Sequence, residues 1–452
     1  MIRHRVDGSR RHTFSLSLMM FLQYAVWGVW IPYLANYLMG KTDQGGLGFT
    51  GAQVGWILGL AASIGAVSAP FLAGQIADRF INAEKYLALL LISGGIVKYV
   101  TASVHDYYTF ILLSIIYSVL YMPTLALTNS IAFAHLDNAE KQFPAVRVWG
   151  TIGWIVASNA FPLLWLQSNL HLTILPPFIA GTDKPNATAL WADCLRVAGV
   201  LAIAYGLWAA VALPPTPPIR NRQHPFAFAR AFALLAHPGF LVVTLVSLPI
   251  AMIHQVYFIR TGPFIEALGF AKAHVGPILS IGQLSEIFFL SILGFLLARL
   301  GYKWTLVLGA LAYALRFALF AIATPDTRWI LMAANTLHGL CYGCFFAGAF
   351  IYVERIATAD IRHSAQTVFG IIILGVGPVL AGLYNQWLDH MTVATPAGPA
   401  FDYRDFWFVQ AAVAAGSMLV LMALFRPGLH QLPELPEAAP AAQADSASSL
   451  PA

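Results

Sequence analysis

Twelve apolar runs, each roughly 20 residues long and set apart by short polar or proline-bearing connections, constrain this chain more than any other feature. A segment crossing hydrocarbon must satisfy every backbone N–H and C=O internally, because no water is there to do it. The runs lie near residues 13–39, 51–76, 85–104, 108–134, 147–167, 195–213, 238–259, 274–298, 303–323, 328–353, 364–387 and 404–425. They predict an all-α membrane protein of twelve transmembrane helices, multi-pass in a lipid bilayer, with both termini on one side. Composition agrees: 10% of the 452 residues are charged and 59% hydrophobic, too little charge to clothe a soluble surface.

Basic residues are divided unevenly between the two sides. The N-terminus with residues 78–85, 141–147, 220–230, 299–303, 355–362 and 426 holds 16 Lys and Arg, while the other set holds seven: Lys41, Lys184, Arg196, Arg260, Lys272, Arg328 and Arg404. The richer side is expected to be cytoplasmic, which puts both termini inside a cell inner membrane. Arg3, Arg5, Arg10 and Arg11 precede an apolar run too long for a signal peptide, so that run reads as the first span. The net charge of +5 arises from these short clusters rather than from a basic stripe, which argues against a nucleic-acid partner. Cys341 and Cys344 form a C-x-x-C inside an apolar run without βαβ context. No redox centre, metal or other cofactor is expected from it.

Residues 214–237 form a proline-rich, basic connection that divides the spans into two six-helix halves, 1–213 and 238–432, with a Pro/Ala/Ser-rich tail at 433–452 expected to be disordered. Each half carries a related stretch between its second and third helices. Gly74-Gln-Ile-Ala-Asp78-Arg79 precedes Lys85 in the first; Gly294 and Ala298-Arg299-Leu-Gly-Tyr-Lys303 hold the same place in the second. This pseudo-symmetry fits a duplicated transporter, and the stretch resembles the loop signature of the major facilitator superfamily. The outside loops near 168–194 and 388–403 are Pro/Asn/Asp-rich and expected to be irregular; the sequon at Asn186 lies in the first.

Ionisable and amide groups inside spans need a partner or a wet cavity, and are functional candidates by default. Glu286, in Gln283-Leu-Ser-Glu286 of helix eight, shares a helix face with Gln283. A carboxyl there is suited to load and release a proton; pairing with a structural base is the plainer role. Arg147 opens helix five in Arg147-Val-Trp-Gly-Thr-Ile-Gly-Trp154. Arg147, Thr151 and Trp154 form one stripe suited to a polar aromatic ligand, with Gly150 and Gly153 leaving room for packing. Arg147 at a helix end could equally snorkel to the interface. Arg316, mid-helix nine, is expected to have a structural ion-pair partner. His338, Cys341, Tyr342 and Phe345 on helix ten, His254, Gln255, Tyr257 and Phe258 on helix seven, and Gln23, Trp27 and Trp30 on helix one, beside Pro32, could line a cavity or merely pack.

At these stretches the sequence resembles the nucleoside:proton symporters of the major facilitator superfamily. The resemblance rests on Phe21-Leu-Gln-Tyr-Ala-Val-Trp-Gly-Val-Trp, Tyr121-Met-Pro-Thr-Leu-Ala-Leu-Thr-Asn, Arg147-Val-Trp-Gly-Thr-Ile-Gly, Gln283-Leu-Ser-Glu, Leu315-Arg-Phe-Ala-Leu-Phe-Ala and Arg362-His-Ser-Ala-Gln, in order along nearly the whole chain. It implies nucleoside uptake driven by protons, a central ligand site on Arg147, Thr151, Trp154, Gln255, Gln283 and Glu286, and function as a monomer. Gly343 follows Tyr342 where the family carries an Asp, and Phe258 stands where it carries an Asn. Either Glu286 couples alone, or the solute is another hydroxyl-rich one, such as a sugar or a modified nucleoside. A membrane-embedded enzyme using His254, His338 or His363 lacks any nucleophile–base spacing to support it.

Overall fold

A computed structural model describes residues 2–72, 80–137, 139–172, 179–218, 232–357, 362–395 and 398–428. The signature stretch at 74–79, most of the linker and the tail after 428 lie outside them.

Helix one runs Ile2–Gly28 and resumes as Ile31–Met39. Pro32 explains the break, since its nitrogen cannot donate back to the preceding turn. Helices two to six are Gly51–Leu72, Ala83–Thr101, Tyr107–His135, Ala139–Trp165 and Asp193–Ala212, and helix seven is Pro238–Ala267. The run Val275–Ile322 is interrupted at Gly301, whose φ of 70° only glycine adopts without cost, and so contains helices eight and nine. Helix ten is Trp329–Asn335 and His338–Leu340, a π-helical segment Cys341–Ala347, then Gly348–Ile356. Helix eleven carries a second π segment, Ile372–Val376, between Arg362–Ile371 and Gly377–Leu388. Helix twelve is Tyr403–Leu424.

Nine helices among the described residues are long and apolar enough to span a bilayer, and the 51-residue one is long enough to do so twice. Ala83–Thr101 and Ala139–Trp165 match them in length but carry ionisable side chains, which completes the expected set. Helix five begins at Ala139 rather than at Arg147, so Arg147 sits about two turns inside it.

The loops expected to lie outside are more regular than their composition suggests. β1 (Gln167–Leu172) pairs antiparallel with β2 (Ile179–Asp183), and β3 (Thr392–Thr395) with β4 (Gly398–Phe401). Both hairpins cover the same end of the bundle. Within the first six helices, three packs on six, one on five and two on four. Glycine permits the closest of these: a Cβ at Gly153 would lie 2.1 Å from the Phe21 carbonyl oxygen. Apolar packing in hydrocarbon gains little from water exclusion, so such close backbone approach carries much of the association.

Candidate functional site

The hairpin end is sealed by hydrogen bonds running from the first six helices to the last six. Asn385 donates to the Gly51 carbonyl, and the Ala52 N–H to Asp389 at 3.1 Å. Arg260 holds the other Asp389 oxygen at 2.8 Å and Asn385 at 2.7 Å, so one guanidinium orders both acceptors. Asn36 donates to Glu266, which Lys272 also pairs at 3.0 Å. Nearer the middle, Ser63 donates to the Gly375 carbonyl at 2.5 Å and Asn159 to Ser280 at 2.7 Å. At the opposite end a groove of about 650 Å³ is lined by Phe14, Phe21, Gln142 and Trp149 of helices one and five.

Beneath the seal the first six helices present a run of rings. The Arg147 guanidinium lies 4.2 Å over the Tyr24 ring. Tyr24 is 6.3 Å from Trp27, Trp27 is 6.2 Å from Tyr121, and Tyr121 stacks on Tyr117 at 5.4 Å. Trp30 stands edge-on to Tyr117, and the Lys98 ammonium sits 3.2 Å above Trp30 and 4.0 Å above Tyr117. Rings attract cations through the negative faces of their π systems, so each end of this wall carries a positive charge. Arg147 therefore packs inward rather than snorkelling. Gly150 makes room for it: a Cβ there would lie 2.6 Å from the Tyr24 ring.

Two expected wall residues are placed differently. Gln23 is fully buried and its amide donates to Thr124 at 2.7 Å, while its main-chain carbonyl accepts from Tyr121 at 2.5 Å. Its amide has turned into helix four, because a buried amide costs most when unpaired, and it does not reach the cavity. Trp154 is buried where Gly28 meets its backbone, leaving the half-buried Thr151 and Arg147 as the reachable part of that stripe. Trp30 is buried beside Lys98, where it lines a small cavity and packs against the ammonium.

The last six helices present a different chemistry. Glu286 Oε2 lies 3.9 Å from His338 Nε2. His338 Nδ1 is 2.8 Å from Arg316 Nη1, and Arg316 donates its other nitrogen to Asn335 at 2.8 Å. An Arg is only ever a donor, so this contact fixes Nδ1 of neutral His338 as the acceptor and puts its N–H on Nε2, toward Glu286. Arg316 is fully buried, 4.0 Å over Tyr257, and has no carboxylate partner among the described residues. In place of the expected ion pair, Arg316 is held in a network by the neutral side chains of His338 and Asn335. His254 stacks on His338 at 5.8 Å and bonds Tyr313 at 2.7 Å, and so belongs to the same network.

The two sides meet electrostatically. Arg147 and Tyr24 of the first set lie within charge–charge reach of Glu286 and Tyr342 of the second. Gln283, half-buried, is on the Glu286 face of helix eight, and Gln255 shares a cavity of about 90 Å³ with Trp27 and Lys98. The π segment breaks the expected helix-ten stripe. Phe345 packs on Gly309 of helix nine and Cys341 is buried, whereas Tyr342 keeps 37% of its surface exposed. All three cysteines are free and buried. A Cβ at Gly343 would come within 3.7 Å of Phe289 and Leu290, one turn along helix eight from Glu286.

Lys98 escaped the reading of the sequence, although a signal for it existed. Assigning Lys and Arg to the two sides leaves two of the 25 unplaced, Lys98 and Arg316, and both are buried inside spans.

Known proteins resemble this chain in sequence and in fold. The family described as "Nucleoside H+ symporter" matches residues 11–430. YegT of Escherichia coli (strain K12) is 33% identical over 93% of this chain and 95% of its own. The xanthosine permease of the same organism is 28% identical over 88% of this chain and 92% of its own. The crystal structure of a variant of the nucleoside transporter NupG superposes with a TM-score of 0.80 at 26% identity, covering 92% of this chain and all of that one. A D-xylose-proton symporter at 12% identity and TM-score 0.68 shares the fold alone.

Proposed function

Because this chain belongs to the nucleoside:proton symporter family, with the major facilitator fold, we propose that it imports nucleosides by proton symport through the cavity between its two six-helix halves. The observation that carries this reading is that Arg147 of the first six helices lies within electrostatic reach of Glu286 of the last six, with Tyr24, Trp27 and Tyr342 near them. Rings of this kind stack on a base, and amides and carboxylates bond ribose hydroxyls and base edges. Thr151, Gln255 and Gln283 supply the remaining polar contacts.

Glu286 is the proton carrier in this reading. When ionised, it is balanced by Arg147 ahead of it and by the His338 N–H behind it. When protonated, it leaves Arg147 free for the ligand. Proton and nucleoside therefore bind to the same arrangement, which is what couples their movement. Gly343 offers no second carboxylate, so Glu286 acts alone. The halves 1–213 and 238–432 rock about this site while the hydrogen bonds of the hairpin end open and close. The chain sits in the inner membrane with both termini in the cytoplasm and works as a monomer.

Uptake of labelled uridine and adenosine into proteoliposomes tests the reading. Accumulation that requires an inward proton gradient and collapses with a protonophore is the expected result. Equilibration indifferent to pH would make the protein a facilitator, and competition by sugars alone would replace the nucleoside as its solute.

A further inference from the structure

The small cavity beside Gln255 holds a charge that the scheme above leaves unused. Lys98, on the last turn of helix three, is 3% exposed and makes no ion pair or hydrogen bond among the described residues. An ammonium withdrawn from water is costly. The helix C-terminus and the faces of Trp30 and Tyr117 offset only part of that cost.

What surrounds the ammonium is one-sided. The Trp30 indole N–H and the Tyr117 hydroxyl are buried against each other, with no other hydrogen-bond partner. Ser114 and Ser118 of helix four line the same space, Gln255 faces it from helix seven, and the neutral Cys194 thiol approaches Lys98 from helix six. No carboxylate among the described residues enters this shell. The cavity therefore gathers an ammonium, an indole and a phenol with neutral hydroxyls and one amide, and no anionic acceptor among the described residues matches the charge. At about 90 Å³ it has room for roughly three waters or for one end of a larger solute. Trp27 and Gln255 border it on the side of the ligand site, so a ring stacked there would place a substituent inside.

We infer that this cavity is an oxyanion subsite: it receives an ionised oxygen of the transported solute, and Lys98 makes the protein prefer solutes carrying one over neutral molecules of the same shape. For a nucleoside, as the reading above implies, that oxygen belongs to a base acidic enough to ionise near neutral pH. Lys98 is then a specificity residue, separate from the carboxylate that carries the proton.

The test compares binding of xanthosine and inosine to purified protein, above and below the pKa of the xanthine base. The variants are K98M, K98R and Y117F, each first shown to be monodisperse. Wild type should favour ionised xanthosine over inosine by about tenfold, the worth of one charge-assisted hydrogen bond, and lose that preference once the base is neutral. K98M should abolish the preference, K98R should keep most of it, and Y117F should weaken it. Phenylpropionate, an aromatic carboxylate without ribose, is the second probe. Lys98-dependent binding of it, with no nucleoside bound, would uphold the subsite while overturning the nucleoside reading. Nucleosides bound with no dependence on Lys98, and phenylpropionate bound no better by wild type than by K98M, would overturn the subsite and leave that reading intact. Should K98M fail to fold, a wild-type preference unchanged by ionisation of the base, and unmoved by Y117F, overturns it equally.

Discussion

The two walls of the cavity solve different problems. The wall from the first six helices is made of rings, with Arg147 at one end and Lys98 at the other, and its cations rest on π faces. The wall from the last six is a chain of hydrogen-bonding groups, Glu286, His338, Arg316 and Asn335, in which each member limits what the next can do. A ring surface tolerates many ligands and responds little to a proton. A network with a titratable end responds strongly to one. In the proposed scheme the ring surface that stacks a base comes mainly from the first six helices and the titratable carboxylate from the last six, with Arg147 touching both tasks, and a rocking motion about the site would bring them together.

Four substitutions probe that division. Glu286→Gln, on the coupling wall, should abolish accumulation against a gradient while sparing nucleoside counterflow in proteoliposomes; undiminished accumulation would take Glu286 out of the coupling step. Arg316→Ala should lower stability by about 3 kcal/mol, because Asn335 and His338 lose their buried donor. That loss is read as a fall in melting temperature in detergent, and a variant as stable as wild type would mean the network is ornamental. Arg147→Ala, on the recognition wall, should weaken nucleoside binding by about 2 kcal/mol, roughly thirtyfold, at unchanged melting temperature. If it instead removes accumulation but not binding, the division of labour is wrong. Tyr24→Leu takes away the ring beneath that guanidinium and should cost about 1 kcal/mol, roughly fivefold in affinity. An equal loss of proton dependence would show that the walls are not separable.

Much of this was legible in the sequence, for a physical reason. Hydrocarbon penalises every ionisable side chain, so Glu286, Arg147 and Arg316 stand out in apolar runs, and the spans themselves are written in length and hydropathy. The illegible parts depend on tertiary choices. Gln23 and Trp27 share a helix face on paper, but a Thr124 hydroxyl one helix away claims the amide. The π segment at Cys341–Ala347 shifts the register of helix ten, so spacing alone assigns Phe345 to the cavity and the structure gives it to Gly309. Loop composition suggested irregular connections at 168–194 and 388–403, where cross-strand pairing forms hairpins. Arg316 asked for a carboxylate and found Asn335 and His338 instead.

The closed end of the bundle carries one more lesson. Two of the cross-half contacts at and below this end finish on main-chain oxygens, those of Gly51 and Gly375, reached by an amide and a hydroxyl. Water satisfies such an oxygen nearly as well as a side chain does, so exchanging one for the other is almost free, on the order of 1 kcal/mol per contact. If this end opens as proposed, these contacts would part as a wetting transition rather than as a latch. Solvent entering the crevice would replace each partner as it withdraws, so that no polar group is left without a hydrogen bond on the way.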